Sequence, residues 1–193
     1  MDYNEISPST ERRIEDFFAA TTQCTRDVAL RHASLNVKDV RMTFVGSGAM
    51  AASTSLGGDA SDLNGSVVEW PMKASKTLAS HDSLNKTGDV YVDQGVLSFL
   101  IDALTSAHLA LLVKMKHVSV SLTIDFVRPL LSERPFILVS RLLRSGRRIC
   151  SLSAEVRQEQ NGKTVLCARA DHTKVFNDTK SPNKTRRAAI SKL

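Results

Sequence analysis

Aromatic residues are scarce in this chain of 193 residues: seven Phe, two Tyr and one Trp, 5% of the total. That leaves too few stacking faces for a protein that reads nucleic acid through its bases, and nucleic acid is not expected as a partner. Cysteine is scarcer still. Cys24, Cys150 and Cys167 are odd in number, which argues against a disulfide framework. Their spacing suits no metal, and no metal site is expected. Reduced thiols in an intracellular compartment are the expectation. Cys150 and Cys167 sit in strand-like runs and read as small buried hydrophobes. The opening Met-Asp-Tyr-Asn-Glu-Ile has no basic region leading into an apolar one, so no secretory signal is read there. The most apolar stretch, Val96–Val113, is interrupted by Asp102, His108 and several Ser and Thr, and is short for a membrane span. It reads as the buried helix of a soluble protein, with no membrane span.

The remaining composition is that of an ordinary folded domain, 42% hydrophobic and 24% charged. The net charge of +6 is unevenly placed. Residues 177–193 hold five basic residues and one acid, and residues 128–148 hold six Arg and one Glu, which leaves the rest net acidic.

Residues 8–33 read as helical, with Ser9 or Thr10 as cap and Ile14, Phe17, Phe18, Val28 and Leu30 as apolar stripe. Val40–Val45 is a short strand. Residues 46–65, rich in Gly, Ala, Ser and Asp, read as a long loop. Ser66–Met72 is a second strand, stopped near Pro71. A long helix follows, from about Gln94 to Lys114. The period then changes to two over His117–Val127, with Val118, Val120, Leu122, Ile124 and Phe126 facing one way. Strands follow at Phe136–Arg144, Ile149–Gln158 and Thr164–Phe176, and Asn161-Gly162 is a hairpin signal. Short turns imply antiparallel neighbours. The expected fold is α+β, an antiparallel sheet wrapped around a long central helix.

The residues at the helix start carry a resemblance. Asn85-Lys-Thr-Gly88 is followed by Asp93-Gln94-Gly95 and an apolar helix reaching Leu100-Ile101-Asp102. Val118-Ser119-Val120, Arg128-Pro129 and His172-Thr173-Lys174 follow. This resembles the hotdog-fold thioesterases, in particular the phenylacetate-degradation branch and its eukaryotic acyl-CoA thioesterase relatives. The resemblance covers about Val37–Phe176. It implies a hotdog domain at 37–176, with a helical extension expected at 1–36 and a polar, basic tail at 177–193 expected to be disordered. Two departures stand out. The family's His-Gly-Gly is here Asp93-Gln94-Gly95, and the gap from Gly88 to Asp93 is about two residues longer than usual.

Thioester hydrolysis needs a polarised carbonyl and an attacking oxygen. A helix start offers unpaired N–H groups and the positive end of a dipole. Backbone donors do not depend on side-chain identity, so the N–H of Gln94 or Gly95 suits that role, and the resemblance gives it to the residue aligned with Gln94. Asp102 lies eight residues on, about 12 Å along the axis. It cannot reach a carbonyl held at its own helix start, so both groups act on one thioester only across two subunits. The family's shared sites imply the same homo-oligomer, a dimer or dimer of dimers. Asp102 would then be general base or nucleophile. By resemblance, Ser119 positions the water and Asn85 helps hold the thioester. Without the family pattern, Asp102 would read as a solvated acid in a polar stripe with Ser98, Thr105 and Ser106.

The Arg-rich segment suits the phosphates of coenzyme A. Arg128, Arg147 and Arg148 are the candidates, with Lys174 and His172 added by the family pattern. No cofactor is expected, because CoA is part of the substrate. Ser191-Lys192-Leu193 reads as a peroxisomal import signal, which implies an import receptor and a peroxisomal or glycosome-type address. The resulting expectation is a peroxisomal acyl-CoA thioesterase. The alternatives are a non-catalytic acyl-CoA binding or regulatory protein and, further off, a hotdog enoyl-CoA hydratase, whose Gly-Asp-x-Asn-Pro context is missing.

Overall fold

The computed structural model describes residues 7–44, 64–80, 89–113 and 116–177. Helix α1 spans Pro8–Ala20 and α2 spans Gln23–Arg26. Helix α3, Gln94–Leu112, is the centre of the molecule. Asp93 caps it, with Oδ1 accepting the Val96 N–H at 3.0 Å. Its apolar residues run almost all round, as burial on every side requires. By length and composition it is the one helix among the described residues that could cross a membrane. Here the sheet and α1 cover it, and Leu97, Leu100, Ile101, Leu104 and Ala107 are buried in the main core.

The sheet is antiparallel throughout, in the order β1-β2-β4-β5-β6-β3. The strands are β1 (Arg41–Phe44), β2 (Ser66–Lys73), β3 (His117–Phe126), β4 (Pro135–Ser145), β5 (Ile149–Gln160) and β6 (Lys163–Phe176). Asn161 and Gly162 both take positive φ, 53° and 71°, as a tight hairpin between β5 and β6 demands. The expected α+β architecture, a sheet around a long helix, is therefore present.

Three local expectations are corrected. The helix expected over 8–33 breaks at Thr21, which is extended and returns both its N–H and its hydroxyl to the Phe18 carbonyl. Ser7, not Ser9 or Thr10, caps α1, and Thr22 restarts the chain as the cap of α2. β2 is not stopped at Pro71 but runs to Lys73. It can do so because β1 pairs only as far as Glu69, so the missing Pro71 N–H has no neighbouring strand to satisfy. The alternation of β3 is not strict, since a bulge between Ser119 and Ser121 interrupts the pairing with β6. Val118 and Val120 are consequently 52% and 62% exposed, while Leu122 and Ile124 pack against the core.

His108 of α3 is wholly buried. Its Nε2 lies 3.0 Å from Ser66 Oγ and its Nδ1 2.9 Å from Ser140 Oγ. Ser140 also accepts the Trp70 indole N–H at 3.0 Å. Burial holds the His108 pKa down to about 3, so the ring is neutral at pH 7.

Candidate active site

Asp102 stands on α3 at the point where β3 and β6 cross it. Its side chain is 46% exposed. Ser119 of β3 donates its hydroxyl proton to Asp102 Oδ1 at 2.9 Å. Lys174 of β6 donates to the same oxygen at 3.3 Å. The His172 Nε2 atom is also 3.3 Å from Oδ1. Every one of these contacts falls on Oδ1, and no described residue bonds Oδ2. The carboxylate is thus gripped on one oxygen and open on the other.

The grip has a simple origin in strand geometry. Residues two apart on a strand share a face, so His172 and Lys174 both point inward with Ala168, Ala170 and Phe176. Lys174 is 1% exposed. Its other two donors go to Ser119 Oγ at 2.9 Å and Ser106 Oγ at 2.7 Å. Ser106 and Ser119 can accept because each sends its own proton onward, to the Asp102 carbonyl and to the Asp102 carboxylate. All three ammonium protons therefore have acceptors. Burial lowers the Lys174 pKa, and the Asp102 charge opposes that fall.

His172 lies beside Lys174 with Nδ1 2.7 Å from Thr105 Oγ1. Its pKa is lowered to about 4, first by burial and then by the Lys174 charge, with Asp102 opposing. The ring is neutral at pH 7. Thr105 sends its own hydroxyl proton to the Ile101 carbonyl at 2.7 Å, so Oγ1 accepts from His172 Nδ1–H. Nε2 is then buried without a hydrogen-bond partner.

This placement corrects one expectation. Lys174 and His172 do not reach out to CoA, because both are buried and Lys174 has no donor left. The three candidate arginines lie apart within one chain. Arg147 and Arg148 are exposed in the turn between β4 and β5, while Arg128 is exposed just past the end of β3. These are opposite ends of the sheet, about 33 Å apart by the rise of a ten-residue strand. Within one chain they cannot serve one set of phosphates.

At the start of α3, the Gln94 and Gly95 N–H groups have no acceptor inside the helix. Asp93 spends its cap on Val96 and leaves both of them unused. A Cβ at Gly95 would come within 3.0 Å of Asp93 Oδ1, so glycine makes room for that cap. Asn85, the 46–63 part of the long loop and Ser191, Lys192 and Leu193 lie outside the described residues. Cys150 and Cys167 are buried free thiols, and burial raises the Cys167 pKa to about 11.

The reading of separate residues missed the Lys174–Asp102 pair. The inward register shared by His172 and Lys174 was the available signal. It also missed the His108 cluster, which depends on two strands and a helix meeting.

Residues 96–173 match a family model described as the acyl-CoA thioesterase N-terminal domain. No curated protein matches the sequence. Among solved structures, the chain is similar to thioesterase superfamily member 2 from Mus musculus, with a TM-score of 0.56 and 18% identity over 89% of this chain and 100% of that one. It is similar to a thioesterase family protein from Silicibacter pomeroyi, with a TM-score of 0.55 and 15% identity over 86% and 97%. An acyl-CoA hydrolase from Staphylococcus aureus, solved with butyryl-coenzyme A, coenzyme A and coenzyme A disulfide, gives 0.51 and 17% over 61% and 70%. At these identities the likeness establishes the fold.

Proposed function

We propose that this chain hydrolyses acyl-CoA thioesters to free acid and CoA, a reading supported by the match of residues 96–173 to an acyl-CoA thioesterase domain model and by the fold shared with solved thioesterases. The observation that carries the reading is the Asp102 carboxylate, fixed through Oδ1 and open at Oδ2. An immobilised carboxylate with one free oxygen is what a general base or a nucleophile needs. As base, Oδ2 takes a proton from water while the water oxygen adds to the thioester carbonyl. As nucleophile, Oδ2 adds itself and forms a mixed anhydride that water then opens. The CoA thiolate leaves in both routes. The Lys174 ammonium donates to Oδ1 and holds the ring of contacts, with neutral His172 packed beside it. Ser119 steadies the same oxygen.

The carbonyl oxygen is assigned to the Gln94 and Gly95 N–H groups of a second copy. The α3 rise of about 12 Å between Gln94 and Asp102 keeps one helix from supplying both. A two-fold pairing through β3 supports this arrangement. β3 is the last strand at its edge, and Val118, Val120, Phe126 and Val127 are exposed along it. An open apolar edge of this kind favours strand addition. Antiparallel pairing would set the end of one β3 opposite the start of the other. Arg128 of one copy would then share an end of the joined sheet with Arg147 and Arg148 of its mate. That removes the separation seen within one chain.

A non-hydrolytic acyl-CoA binder is the second reading, favoured by Asp93 alone. Its carboxylate places negative charge beside the N–H groups that a developing oxyanion would need. Thiol release from acyl-CoAs separates the two. Asp102→Asn should lower turnover by about 10²–10⁴-fold, the usual contribution of a positioned base. Turnover that survives this change would refute the mechanism, and tight CoA binding without turnover in the unaltered protein would favour the binder.

A further inference from the structure

The face of α3 that carries Asp102 and Ser106 continues to Ala110 and Val113, because residues spaced by three and four stack on one side of a helix. There the surface opens into a groove of about 730 Å³. Ala110 and Val113 form its floor. Phe17 and Ala20 of α1 form one wall, and Val118 at the start of β3 forms the other. We propose that this groove receives the acyl chain of the thioester, so that α1 sets the chain length accepted. The proposal rests on the thioesterase reading and names the part of the substrate that reading leaves open.

Continuity is the first argument. Val118 adjoins Ser119, and Ser106 shares Lys174 with Asp102, so the groove begins about two helical turns beyond the carboxylate on the same side of α3. Its lining is the second. Most of its exposed lining is apolar, from these floor and wall side chains and the methylene stems of Arg13 and Lys116, while Asp16, Thr21 and His117 add polar atoms at its rim. The volume falls within the range of about 300–1,000 Å³ typical of small-molecule sites. Length is the third argument. From Asp102 to Ala110 is about 12 Å along α3, and to Val113 about 17 Å. A short acyl group ends before the groove, whereas an extended chain of medium length fills it. The α1 wall is fixed in place. Ile14 and Phe18 are buried in the core, and the Arg13 guanidinium donates to the Ala110 carbonyl at 3.1 Å. Phe17, edge-on to Phe18 and half-buried, is left to face the groove. The competing occupant is the segment after Asn177, since Asn177 also lines the groove.

The test uses the full chain and two opposed variants. Ala110→Phe fills the floor, and Phe17→Ala widens it. Hydrolysis is measured across butyryl- to palmitoyl-CoA, and binding of a non-hydrolysable dodecyl-CoA thioether is measured by calorimetry. Ala110→Phe should lower kcat/KM for lauroyl-CoA at least tenfold relative to butyryl-CoA and weaken the thioether to match. Phe17→Ala should move the preference toward longer chains, and it carries the test alone where Ala110→Phe fails to fold by circular dichroism. Hydrolysis with an unmoved chain-length profile overturns the acyl groove, assigns it to another occupant, and leaves the thioesterase reading standing. No hydrolysis, but thioether binding that depends on Ala110 or Phe17, overturns the reaction and supports the groove. Neither hydrolysis nor binding overturns both.

Discussion

Acidification should destabilise this fold through His108 by an amount that can be worked out in advance. In the unfolded chain the imidazole titrates near its ordinary 6.5, whereas in the fold burial holds it to about 3. Between those values the unfolded chain takes up a proton that the folded chain refuses. Stability is therefore complete above pH 6.5, falls as the pH drops toward 3, and levels off below. From pH 7.5 to 4.5 the loss from this one group is about 3 kcal/mol, at about 1.4 kcal/mol for each pH unit below 6.5. That is a large part of a typical total of about 5–15 kcal/mol. The single Trp70 is buried and hydrogen-bonded to the same Ser140, so its fluorescence reports unfolding from inside the cluster. Urea unfolding of the unaltered protein and of His108→Gln should be compared at both pH values and one protein concentration. The glutamine keeps polar atoms near Ser66 and Ser140 but takes no proton. Carboxylates and His172 contribute equally to both proteins and cancel. The unaltered protein should lose about 3 kcal/mol more than the variant between the two pH values. Parallel losses would refute the claim that a buried neutral His108 governs the acid limb.

Lys174→Met should lower kcat about tenfold or more with little change in KM for CoA, because the ammonium holds Asp102 and does not face solvent; a rise in KM alone would return Lys174 to phosphate binding. Asp93→His should leave the circular dichroism spectrum intact and maintain or raise turnover, since it removes negative charge from the helix start; a substantial fall would show that the Asp93 cap is needed for the site. Val120→Arg places a charge on the open edge of β3 and should shift sedimentation toward monomer, with loss of turnover; an unchanged oligomer would rule out pairing through β3.

The parts of this molecule that local spacing controls were legible before the structure. The hairpin at Asn161-Gly162, the long helix after Asp93 and the period-two strands each depend on a few neighbouring residues. Asp102 and Ser119 were legible as a pair only through the family pattern, since seventeen residues and a change of element separate them. What stayed hidden depends on which strands become neighbours. Lys174 reads as a surface cation until β6 lies beneath α3 and beside β3. The β3 bulge at Val120 breaks an alternation that looks regular in sequence, because register is fixed jointly with β6. Arg128, Arg147 and Arg148 looked like one cluster because the chain brings them within about twenty residues, yet β4 lies between them.

The position of β3 has a consequence for how the protein is made. β3 is synthesised directly after α3, but its only partner among the described strands is β6, which is the last to be made. Ser119 cannot meet Lys174, nor His172 meet Asp102, until the chain has been translated through residue 174. A nascent or prematurely terminated chain can close β2, β4 and β5 around the helix and still have an ungripped carboxylate and an unpaired valine-rich strand. Those intermediates expose apolar surface, the condition under which chaperone capture matters. Non-local closure of this kind also slows folding. The cluster around Asp102 thus forms only once β6 is in place, and its assembly certifies that the sheet is complete.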